Sequence, residues 1–298
     1  MPVREFFVLL MVCTLWGLHF TVMRITVGEL GNPLFYAALR MSCVGLILLP
    51  FLKWHSGKMR YILLAGLCFG ALNFALIFPA MGMTTAGAGS IAIELYVPFS
   101  IILAIIFLGE RVGLPRLVGI ALAFAGVAII SLGKPPEEAG RLFILGIVMI
   151  GAAGFCEAVG AIFIKSIKTV GPFQLLAWFG VVGTLVLWPL TFTLEQNQFH
   201  VFGPDTRAQF LLALGYSVIG ASIIAHAAYY WLLGRLPMYQ IAGTGLINPV
   251  VGVTAGVIIL KEPISAPIII GGAMTAIGVY LILARARKPK GQVAPGET

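Results

Sequence analysis

Apolar stretches of about twenty residues, free or nearly free of charge, follow one another along the whole chain. They run over residues 6–27, 33–52, 61–81, 85–108, 114–132, 142–164, 172–194, 208–232, 239–260 and 264–284. A helix needs about 20 predominantly apolar residues to cross a bilayer. The pattern therefore predicts an all-α polytopic membrane protein with ten transmembrane helices. The polar links between stretches are short and leave almost nothing for a soluble domain. The first stretch is too long for a secretory signal, lacks a clear small-residue cleavage site, and is followed by nine others like it.

Composition points the same way. Of 298 residues, 60% are hydrophobic and 10% charged, where a soluble domain carries about a quarter charged residues. This excludes a water-soluble globular enzyme, and neither a disordered nor a disulfide-stapled chain has this make-up. The four cysteines (Cys13, Cys43, Cys68, Cys156) all sit in apolar stretches. They show no metal-ligand spacing and read as small buried side chains.

The net charge of +8 would suggest nucleic acid in a soluble protein. Here its placement gives another reading. With the N-terminus in the cytoplasm, 13 of the 19 basic residues fall in cytoplasmic segments. Arg24, Lys134, Arg141, Arg207 and Lys261 fall outside, and Arg40 lies within a span. Cytoplasmic loops carry the excess of Lys and Arg, so both termini are expected inside. That orientation requires an even number of spans. The basic tail, 287–298, reads as a topology anchor, and no nucleic-acid partner is implied.

The sequence repeats itself at a shift of 152 residues. Ile106, Leu108, Glu110, Pro115, Gly119, Ala121, Gly126, Val127 and Ile130 meet Ile258, Leu260, Glu262, Pro267, Gly271, Ala273, Gly278, Val279 and Ile282. Two units follow, 1–137 and 138–286, with five spans each. Five is odd, so the second unit enters the membrane from the opposite side. Inverted repeats of this kind mark secondary transporters, whose halves move around a site near the midplane. Gly119, Gly126, Gly271 and Gly278 lie in the fifth and tenth spans, where small residues let backbones approach. They read as scaffold, or otherwise as the surface of a homodimer.

Ionisable side chains in mid-span are costly and mark functional sites. Glu94 sits near the middle of the fourth span and must meet a cation or several donors, or stay protonated. Glu157 lies in the sixth span. His226 heads a cluster with Tyr229, Tyr230 and Trp231, with Ser222 on the same helical face. His19 shares a face with Trp16 and Met23, a stripe that packing alone also explains. Arg40 has the fork geometry of a carboxylate clamp, or else snorkels to the interface. Arg24 reads as an interfacial anchor or gate-end residue. Pro98 and Pro249 differ by one position under the 152-residue shift and break their helices in the same region. Tyr96 and Asn248 beside them are equivalent under it, and Asn73 adds a polar group in the third span. The candidate substrate-binding set is Glu94, His226, Tyr96, Asn73, Tyr230, Trp16, His19, Asn248 and Arg40.

No phosphate-binding loop, zinc-binding His-Glu-x2-His motif or nucleophile elbow occurs. Neither a cofactor nor a catalytic group is expected.

Trp16-Gly17 with Arg24, Gly109-Glu110-Arg111 and Leu260-Lys261-Glu262-Pro263 make the chain resemble the drug/metabolite transporter superfamily, EamA type. The resemblance covers about residues 5–285. It implies two inverted five-helix repeats, ten spans with cytoplasmic termini and a central cavity between spans 3, 4, 8 and 9. Export by alternating access is implied with it. The aromatic content makes the chain similar to the YddG-like exporters of aromatic amino acids. Glu157 departs from the first half, which has Trp16 at that point. Glu110 and Glu262 read as capping or loop-ordering groups. The expected function is export of amino acids, aromatic or bulky ones first, or of related small metabolites. Helix pairs 1–2 and 6–7 would rock around the cavity, in an inner membrane. Proton-coupled efflux of lipophilic cations is one rival reading, and a channel-like pore is another.

Overall fold

A computed structural model describes residues 2–109, 112–133, 142–165, 167, 170–233, 235–236 and 244–284. Glu110, Arg111, Lys134, Arg141, Lys168, the tail 287–298 and the side chain of Tyr230 lie outside the described set.

Among the described residues, eight helices are long and apolar enough to cross a membrane, and two shorter apolar helices join them. In chain order they are α1 (Val3–Leu30), α2 (Pro33–Ile47), α3 (Met59–Met81), α4 (Ala86–Phe107) and α5 (Leu114–Leu132). Then come α6 (Phe143–Lys165), α7 (Pro172–Leu194), α8 (Arg207–Tyr229), α9 (Thr244–Ile259) and α10 (Ala266–Ala284).

Local sequence sets several of the boundaries. Pro33, Pro115 and Pro172 open α2, α5 and α7 in the first turn, where the missing N–H costs nothing. α2 stops at Ile47, short of the expected residue 52, because Pro50 takes the chain into a 3-10 turn over Leu49–Phe51. α3 and α8 each contain a π-helical stretch, Leu67–Leu72 and Tyr216–Ile224. In α4 the segment Ile93–Leu95 tightens to a 3-10 turn. Pro98 cannot donate to the carbonyl four residues back, which is that of Glu94.

The surface and the interior exchange their usual characters. Leu132, Leu185, Leu212 and Phe107 are 80, 70, 76 and 69% exposed. His19, Arg40, Asn73, Glu94, Ser217 and Ser222 are buried. An apolar rind around a polar centre suits a bilayer as solvent.

The most extensive helix contacts pair α5 with α10, α2 with α7, α1 with α9, α3 and α4 with α6, and α4 with α9. Glycines set the closest of them. A Cβ on Gly119 would lie 2.7 Å from the Gly278 carbonyl oxygen, and one on Gly278 2.6 Å from the Gly119 oxygen. Gly126 and Gly271 face each other in the same reciprocal way. The glycines of α5 and α10 therefore meet one another inside the chain. Gly45 and Gly180 do the same for α2 and α7.

Candidate functional site

Two polar groups form in the interior of the bundle. The first gathers around Arg40, which is 4% exposed. Its Nε and one terminal nitrogen donate to the Ser222 hydroxyl at 3.1 and 3.0 Å. The other terminal nitrogen sits 3.1 Å from His19 Nε2. His19 Nε2 is also 3.0 Å from the Ser217 hydroxyl, and the Tyr36 hydroxyl bonds both that oxygen and the Ala213 carbonyl. The guanidinium carbon lies 4.8 Å from the ring centre of Phe74 and 5.8 Å from that of Phe78, positions that favour a cation over an aromatic face. Every polar partner of Arg40 here is neutral. Such burial of a guanidinium is costly without a counter-charge.

The π stretch of α8 builds half of this group. A π turn moves side chains by one position relative to an α-helix. The Ser222 hydroxyl consequently donates to the Ser217 carbonyl, five residues back, at 2.9 Å. His226 Nδ1 lies 3.2 Å from the carbonyl of Ala221, also five back. The indole of Trp16 donates to that same carbonyl at 3.0 Å and stacks edge-on to His226 and tilted to Tyr229. Tyr216 ties α8 to α1 through the Leu15 carbonyl at 2.7 Å.

The second group lies on α4 and α6. Glu94 is 2% exposed, and its Oε2 has no hydrogen-bond partner. Cys13 of α1 and Glu157 of α6 are within electrostatic reach of it. Gly154 lies against the backbone of Ile93 and Tyr96, where an added Cβ would sit 3.2 Å from the Ile93 oxygen. Glu157, one helical turn beyond Gly154, therefore faces α4 beside Tyr96. Tyr229 reaches the same neighbourhood from α8.

Asn248 on α9 is the third element. Its Oδ1 is buried without a hydrogen-bond partner. It sits where Gly17 lets α1 approach; a Cβ there would lie 3.0 Å from the Asn248 carbonyl. Tyr96 and Asn248 thus occupy like positions, each opposite a glycine of a neighbouring helix. Asn73 is placed differently: its side chain donates to the Ala153 carbonyl at 3.0 Å and ties α3 to α6.

Of the residues singled out from sequence, Arg40, His19, Trp16 and His226 come together in one group. Glu94 and Tyr96 join the other, with Glu157. Tyr36 and Ser217 complete the Arg40 group and carried no sequence signal, because a tyrosine and a serine in apolar spans are unremarkable until the fold brings them 181 residues together. Arg24 donates to the Met81 and Gly82 carbonyls at 3.2 and 3.1 Å, so it ties the end of α1 to the end of α3.

These features define a polytopic helix bundle with buried polar groups in its interior. The EamA-like transporter family model matches residues 4–132 and 144–284, and the chain belongs to that family. It is 26% identical over 278 residues to a probable amino-acid metabolite efflux pump of Escherichia coli, covering 91% of this chain and 92% of that protein. A Salmonella typhimurium protein of the same description is 27% identical over 292 residues, covering 93 and 94% of the two chains. A solved crystal structure shares the fold with a TM-score of 0.64 at 16% identity, covering 94% of this chain and 96% of the other.

Proposed function

We propose that the protein exports amino acids, aromatic or bulky ones first, from the cytoplasm by alternating access. The observation that carries this reading is that a guanidinium and a carboxyl group are both buried inside the same helix bundle. Arg40 is buried among neutral partners, and Glu94 is buried with an oxygen that bonds nothing. A zwitterion supplies a carboxylate to the first and an ammonium to the second. Its side chain then has Trp16, Phe74, Phe78 and Tyr229 for company. The relatives described as amino-acid metabolite efflux pumps support the same substrate class.

The architecture we infer is ten spans in two inverted five-helix repeats, 1–137 and 138–286. The helix pairings support it. Exchanging the halves turns the α1–α9 contact into α6–α4 and the α3–α6 contact into α8–α1, and leaves α2–α7 and α5–α10 unchanged; all of these contacts are present. The π stretches of α3 and α8 also correspond at the 152-residue shift. We place both termini in the cytoplasm of a bacterial-type inner membrane on the Lys and Arg distribution. Trp54 is 72% exposed beside Lys53, and Trp178 donates to the Lys53 carbonyl at 3.0 Å, which suits a membrane–water interface.

Purified protein in liposomes, challenged with a panel of amino acids, lipophilic cations and nucleotide sugars, tests the reading. Saturable counterflow of L-phenylalanine or other bulky amino acids is expected. Saturable flux of cations alone, driven by a pH gradient, would replace it with drug efflux. Unsaturable flux without counterflow would point to a pore.

A further inference from the structure

α4 and α9 carry Glu94 and Asn248, and they touch extensively only over Ala86–Ala92 of α4. Beyond that contact α4 packs on α6 and α9 on α1. The contact is made by small residues. A Cβ on Gly252 would strike Ser90, and one on Gly256 would strike the Glu262 carboxylate. The two backbones therefore approach closely over this short stretch.

A buried carboxylate ties them at the outer end of that stretch. Glu262 follows α9 and is 6% exposed. Its Oε1 accepts from the Ala86 amide at 2.6 Å and its Oε2 from the Gly87 amide at 3.1 Å. These are donors that the first turn of α4 cannot satisfy internally, and they lie at the positive end of the helix dipole. Thr85 takes the next amide, that of Ala88, at 3.1 Å. The loop is bent to deliver the carboxylate: Lys261 has φ +58°, a left-handed conformation that non-glycine residues rarely adopt, and the Glu262 amide donates back to Gly256 at 3.1 Å.

We propose that Glu262 is the latch of the outer gate. While its carboxylate caps α4, the α4–α9 pair is closed at this end and Glu94 is shut off from the outside. When the cap lets go, the pair opens there and the site faces outward. The proposal rests on the transporter reading and on cytoplasmic termini, which put the Glu262 end outside.

A second carboxylate at the same end gives a contrast. Glu195, after α7, accepts from the Leu34 and Phe35 amides of α2 at 2.7 and 2.9 Å. Yet α2 and α7 also touch deeper in the bundle, at Gly45–Gly180. Releasing Glu195 leaves that pair closed.

The test uses Ser90→Cys as a reporter, in a background with the four native cysteines replaced. Ser90 lies between Gly87 and Glu94, inside the α4–α9 contact. A membrane-impermeant maleimide is applied to the outer face of right-side-out vesicles. Adding Glu262→Gln or Glu262→Ala is expected to raise the labelling rate about tenfold, the equilibrium shift that loss of a partly buried charge-to-dipole contact gives. Adding Glu195→Ala is expected to leave it unchanged. Unchanged labelling in the Glu262 variants overturns the latch. So does an equal rise with Glu195→Ala, which would mean general loosening. Glu262→Gln keeps one acceptor and serves if Glu262→Ala does not fold. L-phenylalanine counterflow is measured on the same preparations: flux with unchanged labelling sinks the latch alone, and faster labelling without flux sinks the substrate reading alone.

Discussion

The Arg40 guanidinium holds the hydroxyl of Ser222, 182 residues away in sequence, through two nitrogens at 3.1 and 3.0 Å. Ser222 thus fixes the plane of the fork, His19 takes a third N–H at 3.1 Å, and two of the five N–H groups are left over. A lysine keeps the charge and loses the fork. Arg40→Lys is expected to raise the KM for L-phenylalanine counterflow at least about tenfold, equivalent to ~1.4 kcal/mol. Ser222→Ala keeps the charge and is expected to raise KM by a smaller factor, with the protein still monodisperse in detergent. An unchanged KM in Arg40→Lys would remove Arg40 from the binding site.

Glu94→Gln preserves shape and removes charge. The wild-type protein is expected to prefer L-phenylalanine to 3-phenylpropionate, which lacks the ammonium group. The variant should lose most of that preference, at least about tenfold, since hydrogen bonds to charged groups are worth roughly 1.5–3 kcal/mol. Competition of the two compounds in counterflow measures it. A variant that keeps the wild-type ratio would show that Glu94 does not read the ammonium.

The α5–α10 contact has no space for a side chain at its glycines. A Cβ on Gly126 would meet the Gly271 oxygen and Thr275, and a Cβ on Gly271 would meet the Gly126 oxygen. Gly126→Val and Gly271→Val are each expected to cost roughly 1–3 kcal/mol or more through overpacking. Gly215→Ala, where an added Cβ meets nothing within 4 Å, should be neutral. Thermal unfolding in detergent, followed by tryptophan fluorescence, compares the three.

Glu195→Ala strips the two amides at the start of α2 of their acceptor and the Thr191 hydroxyl of its partner. A lost cap of this kind costs about 1–2 kcal/mol. The melting temperature is expected to fall while the KM for counterflow stays at the wild-type value. A changed KM would tie this end of α2 to the binding site.

Much of the fold is legible in the sequence because the bilayer imposes length and apolarity on each helix. The glycines at 119, 126, 271 and 278 stand out at helical spacing, and in the structure they meet face to face. Buried charges stand out for the same reason, and Arg40 and Glu94 are found buried. Local detail is not legible in this way. The π stretch at Tyr216–Ile224 shifts the face that an α-helical reading assigns to Ser222 and His226, and nothing in the residue types announces it. Tyr36 and Ser217 gain their role only from contacts between distant helices. Glu262 carries a capping role in the sequence, but its target, the first turn of α4, lies 175 residues away and emerges only from the packing.

The strongest helix contacts all join a helix of the first five to one of the last five. During synthesis the first five helices therefore enter the membrane before any of those partners exists. Arg40 waits for Ser222, and the amides of Ala86 and Gly87 wait for Glu262, until the ribosome has finished the second half. Pairing of Arg40 with Ser222, and of the first turn of α4 with Glu262, is thus necessarily a late event in the making of the chain.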